Sequence, residues 1–194
     1  DQASRVADFM NYMLMERMEE YTPEFDQLLF YLPLAGSAFK KIYYDEVLER
    51  AVSKFIPAED LVIPYYATDI RDCERITHII RMTENEIKKK QVAGFYRDIE
   101  LNTPQDNTSD IKKKYNELEG VSRGAESEDT YSVLEMHVDL DIEDEDNVKI
   151  PYIVTIDETS QEILSIYRNY KKDDPKARKI NYFVHYKFLP GLGF

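Results

Sequence analysis

At 194 residues, with 43 % hydrophobic and 32 % charged side chains, the chain is long enough to bury a core and falls within the range of one domain with lobes. Its 38 acids against 25 bases leave a formal charge of -13, which excludes a surface built to wrap nucleic acid, because that binding depends on lysine and arginine neutralising phosphates. A single cysteine, Cys73, excludes an internal disulfide, and no run approaches the roughly 18 apolar residues of a membrane span, so neither a stapled secreted fold nor a membrane partner is expected.

The chain opens DQASRVADFMNYM, without an initiator methionine or a signal-peptide core, and closes on the apolar FLPGLGF. It reads as an intracellular fragment of a longer polypeptide. From Val6, the apolar residues Phe9, Met10, Met13, Leu14, Met18 and Tyr21 share one helical face, which predicts a first helix lying on a core. Thr22 followed by Pro23 predicts a second helix start, with Phe25, Leu28, Leu29 and Leu32 on one face. Pro33 removes an amide and should kink or end that helix, after which Gly36 supplies the turn into a strand, SAFKKIYYD. A phosphate-binding loop would need two glycines and a terminal Gly-Lys-Ser/Thr, whereas here Lys40 and Lys41 follow a lone glycine by four and five residues. FYLPLAGSAFKKIYYD is therefore a helix-to-strand joint, with Leu32 and Phe39 placed in the core and Lys40 and Lys41 near its surface.

Further short strands are expected at 47–56, 60–64 and 76–82. Thr83 with Glu86 forms a capping box for a short helix that carries Ile87 and Lys88 to Lys90 and stops near Gly94. A second inserted helix is expected at 109–119, between the polar loops NTPQDNTSD and SRGAESED. In the last third, Met136, Val138, Leu140 and Ile142 alternate with Glu135, His137, Asp139 and Asp141, the period of a half-exposed strand. PYIVTID, EILSIYRNY and NYFVHYKFL continue as strands of an antiparallel meander. The predicted class is α+β: N-terminal helices packed on mainly antiparallel sheet with short inserted helices, one region over 1–194 in the stretches 1–45, 46–129 and 130–194.

The strongest candidate for chemistry is the acidic series Asp139, Asp141, Glu143, Asp144, Glu145 and Asp146, since clustered carboxylates attract calcium or magnesium. It fails the EF-hand spacing: with Asp139 as first ligand, the required glycine is Asp144 and the required bidentate glutamate is Ile150. A metal-dependent hydrolase or nuclease using the 139–146 acids, with Lys149 beside them, is the alternative reading. His78, His137 and His185 sit singly on strands expected to be half-exposed, and the acidic neighbours of Cys73 should raise its pKa and discourage a thiolate. No catalytic, cofactor-binding or metal-binding residue is assigned. Fifteen tyrosines with no tryptophan, including Tyr43, Tyr44, Tyr65, Tyr66, Tyr152, Tyr167, Tyr170, Tyr182 and Tyr186, fit either interfaces with other proteins or amphipathic core filling.

The blocks FMNYMLMERMEEYTPEFDQLLFYLPLAGSAFKKIYYD, FIPAEDLVIPYYATDIRDCERITHIIRMTENEIKKK, KIPYIVTIDETSQEILSIYRNY and NYFVHYKFLPGLGF together resemble consecutive segments of the portal proteins of short-tailed, double-stranded DNA bacteriophages. The most specific are AGSAFKK and PAEDLVIPYYATD. The resemblance implies a wing-region piece of a ring subunit, dodecameric in that family, with the clip and crown beyond Phe194. It implies a place in the virion after assembly in the bacterial host cytoplasm, with capsid, scaffolding, packaging-motor (terminase) and tail proteins as partners. DNA would pass through the ring without sequence-specific binding, and the ATP-driven step would belong to a separate motor.

Overall fold

The computed structural model describes residues 1–45, 48–102, 130–142 and 148–189. The helix expected at 109–119, the loops 103–110 and 122–129, acids 143–146 and the tail from Pro190 lie outside the described residues. The chain begins with α1 (Gln2–Tyr12), a π-helical turn (Met13–Arg17) and α2 (Tyr21–Ala35), then enters β1 (Ser37–Asp45), β2 (Arg50–Pro57), β3 (Leu61–Val62) and β4 (Arg75–Thr83). It goes on through α3 (Glu84–Val92), β5 (Thr130–Leu140), β6 (Ile150–Asp157), β7 (Ile163–Arg168) and β8 (Phe183–Lys187). Helices and antiparallel sheets thus combine in an α+β architecture. One sheet has the order β2-β1-β8 and the other β3-β4-β5-β6-β7. The described chain divides into two compact units, one formed by residues 1–76 with the stretch from Tyr170, the other by residues 77–169.

In the first unit, Asp1 caps α1 by accepting the Ala3 amide at 3.3 Å. The helix does not lie on a core as its periodicity predicts: no residue of α1 is buried, and Val6, Phe9 and Met10 face outward on one side. Helical spacing records that a face is apolar, but not that anything covers it. The second helix starts at Tyr21, with Glu20 rather than Thr22 in the cap position. Pro23 still falls in the first turn, where its missing amide costs nothing. Pro33 does not end the helix. It lies in the last turn, so only the bond to the Leu29 carbonyl is lost, and Gly36 closes the helix at φ 76°, its amide 2.8 Å from the Leu32 carbonyl. The buried side of α2 turns around Leu28, with Leu32 half-buried and Leu29 exposed.

Strand β1 pairs with β2 from Ala38↔Pro57 to Asp45↔Arg50, and with β8 from Ser37↔Lys187 to Lys41↔Phe183. The expected meander therefore holds for β5, β6 and β7, whereas β8 crosses to the other sheet to flank β1. Strand periodicity is the same whichever edge a strand joins, which is why that crossing was not legible. Phe39, Ile56, Leu61, Ile70, Cys73, Ile76 and Phe183 form the core of this unit.

In the second unit, β5 pairs with β6 from Val133↔Asp157 to Leu140↔Ile150, and β6 pairs with β7 with a register shift at Thr155 and Ile156. Met82, Ile87, Tyr131, Val133 and Leu164 make its core. The capping box forms as expected: Glu86 donates its amide to Thr83 Oγ1 at 3.4 Å, and Glu86 Oε2 accepts the Thr83 amide at 2.8 Å. Thr83→Ala removes one half of that reciprocal pair. We expect a loss of about 1 kcal/mol, read as a lower denaturant midpoint with an unchanged slope.

Candidate functional site

The most heavily constrained polar group of the first unit is Lys40, expected near the surface but only 1 % exposed. Ala38, Phe39 and Lys40 are buried in succession, because both faces of β1 are covered there and the two-residue alternation of burial disappears. The Lys40 ammonium lies 4.5 Å from the ring centre of Tyr21 and 4.9 Å from that of Phe25, both in the first turns of α2, whose rings run nearly parallel 6.0 Å apart. Burial pulls the Lys40 pKa down, and the fields of Glu24 and Glu20 oppose that pull. The rings and carboxylates replace part of the hydration that the cation has lost.

The same turn of α2 carries the partners of β2. Both Glu20 carboxylate oxygens lie close to one Arg50 guanidinium nitrogen, at 2.8 and 2.7 Å. Glu20 Oε1 also accepts the Ser53 amide at 3.4 Å, and Glu24 Oε2 accepts the Phe55 amide at 2.6 Å. Burial pushes the Glu20 carboxyl up, but the bonds from Arg50 and the nearby backbone outweigh it and hold the group below the ordinary carboxylate range. Tyr31 completes the seam, its ring edge-on to Phe55 at 5.5 Å.

The second unit buries a different polar group. His137, expected on a half-exposed face, is 1 % exposed and bonds through Nε2 to Glu135 Oε1 at 2.7 Å. These side chains lie on the same face of β5 as Tyr131 and Val133, so the polar-looking side of the strand turns inward. Burial pushes the nearby Tyr96 phenol upward, and Glu135 and Tyr167 add to the shift. Glu135 pairs with Thr155, and Thr155 with Ser165.

Elsewhere the sequence candidates are dispersed. Asp139 is half-buried and Asp141 exposed at the end of β5, Lys149 is exposed, and the other acids of that series lie outside the described residues. Cys73 donates from Sγ to the Asp69 carbonyl at 3.2 Å; burial raises its thiol pKa first, and Asp69 and Asp72 add to it. His185 stacks on Phe39 at 4.6 Å, and burial pushes its pKa down. No three of His, Cys, Asp and Glu converge as metal ligands among the described residues, and no described helix is long and apolar enough to cross a membrane.

The tyrosines differ in exposure. Tyr131 and Tyr152 are buried, whereas Tyr44, Tyr65, Tyr66 and Tyr167 are exposed. The N-terminal helices add Val6, Phe9, Met10, Tyr12 and Met15 from α1 and its π-helical turn, and Leu29, Phe30 and Leu34 from α2, all exposed. Phe30 and Leu34 are four residues apart, on the side of α2 opposite Leu28. No protein-family profile matches the chain, and no curated protein matches it either.

Two predictions follow from the α2 seam. Lys40→Ala removes the buried four-carbon stem and should cost about 2–5 kcal/mol, whereas Lys40→Met keeps the stem and should retain most of the thermal midpoint. Because the Glu20 pKa is lowered in the folded state, its contribution is present above the ordinary carboxylate range and is lost as pH falls through the folded pKa. Thermal midpoints measured downward from about pH 5 should therefore fall, and Arg50→Met should flatten that decline.

Proposed function

We propose that this chain is a structural subunit of a portal-type ring, the conduit for DNA at a capsid vertex and the platform on which packaging motor, scaffold and tail assemble. The observation that carries the assembly part of the reading is the apolar surface of α1 and α2. Eight large apolar side chains, from Val6 to Leu34, remain exposed on helices that bury only Leu28. Patches of this kind mark surfaces that bury themselves against another protein. The portal identity rests on the ordered sequence blocks named above, most specifically AGSAFKK and PAEDLVIPYYATD.

The polar arrangement supports a building block as well. The half-buried carboxylates Glu20, Glu24 and Glu135 are engaged by an arginine, backbone amides and a histidine, so their charge is used in contacts within and between elements. The alternative, a metal-dependent hydrolase using the 139–146 acids, makes a different demand, since those side chains must bind a cation and support turnover.

The deciding experiment images the full-length product by electron microscopy, beside magnesium and manganese titration and a nuclease assay. Rings with a central hole, no tight cation binding and no cleavage are expected. Replacing Phe9 and Phe30 with Glu should cut ring yield at least tenfold, the effect of roughly 1.4 kcal/mol at an interface, while leaving the circular dichroism spectrum of the subunit unchanged. Turnover abolished by Asp139→Asn would overturn the reading in favour of the hydrolase.

A further inference from the structure

Strand β2 is the outer strand of its sheet, so one row of its backbone groups faces β1 and the other faces away. The outward row is Ala51, Ser53, Phe55 and Pro57, and its amides at Ser53 and Phe55 are both engaged by side chains. The Ala51 carbonyl accepts from Arg50 at 3.4 Å, the Ser53 amide goes to Glu20, the Phe55 amide goes to Glu24, and Pro57 has no amide to offer. The geometry explains why one helix closes two positions. Residues four apart on a helix are separated by about 6 Å along its axis, and residues two apart on a strand by about 7 Å. The carboxylates of Glu20 and Glu24 therefore match two successive outward amides.

We infer that Glu20 and Glu24 form an edge guard, an intramolecular contact that keeps β2 from pairing with the β2 of a second copy of this chain. The second copy is the fitting occupant because two identical antiparallel edges pair about a two-fold axis, each supplying the groups that the other lacks. RAVSKFIP also carries apolar residues on both faces, Val52 and Ile56 on one and Ala51 and Phe55 on the other, with only two charged side chains, Arg50 and Lys54. The carboxylates on α2 thus decide whether this sheet ends at three strands or continues into another molecule. This inference does not depend on the ring reading, since the guard would act in any assembly of the subunit.

The test compares the wild-type chain with Glu20→Ala/Glu24→Ala by amide hydrogen exchange and sedimentation velocity over a wide concentration range. In the wild type, the Ser53 and Phe55 amides should be protected independently of concentration. In the double variant at low concentration, the Phe55 amide should exchange roughly tenfold faster, the loss of one charge-assisted hydrogen bond. At high concentration its protection should return as the sedimenting mass doubles relative to wild type. A folded variant whose mass matches wild type throughout, with both amides exchanging fast at every concentration, would overturn the inference. So would wild-type amides that exchange as freely as exposed ones. Should the double variant fail to fold, Glu24→Ala alone is read by the same criteria, since it leaves the Glu20–Arg50 pair in place.

Discussion

The first unit depends on one burial that ordinary patterning would forbid: the Lys40 ammonium, 1 % exposed, beneath the first turns of α2. A cation taken out of water needs replacement for its hydration, and here that comes from two aromatic faces and two carboxylates on one helical turn. The arrangement sets the register of α2 on the sheet, because Tyr21, Glu24 and Phe25 must present themselves together to β1 and β2. Glu20 and Glu24 serve two neighbours at once, lying near the lysine while accepting backbone amides from the outer strand. Loss of Glu20 or Glu24 leaves a backbone amide of β2 without its side-chain partner.

The second unit inverts the usual reading of an alternating strand. On β5 the side carrying Glu135 and His137 also carries Tyr131 and Val133 and contributes to a core, while Leu134, Met136, Val138 and Leu140 are half-buried. The Glu135–His137 bond makes this possible by giving each buried polar group a partner two residues away on its own strand. Burial pushes the phenol of half-buried Tyr96 nearby further upward, because a phenolate there would lose its hydration and face the Glu135 carboxylate.

A chain with a charge of -13 repels copies of itself at long range, so any self-association has to be driven by close contact. The exposed apolar residues of α1 and α2 offer area for such contact, whereas the outward Ser53 and Phe55 amides of β2 are already engaged by Glu20 and Glu24. An open strand edge joins molecules with little regard for geometry, whereas side-chain surfaces fix it.

The sequence by itself determined the local elements: the Thr83 capping box, the Gly36 joint, the strand periods of β4 to β8 and hence the α+β class, all of which rest on interactions between residues close along the chain. Only the tertiary structure decided which faces are covered. The apolar face of α1 proved exposed, Lys40 and His137 proved buried, and β8 joined β1 instead of extending the meander. The physical reason is that periodicity describes one element's own faces, while burial depends on what arrives from distant chain to cover them. A lysine reads as a surface residue until two rings from the preceding helix close over it.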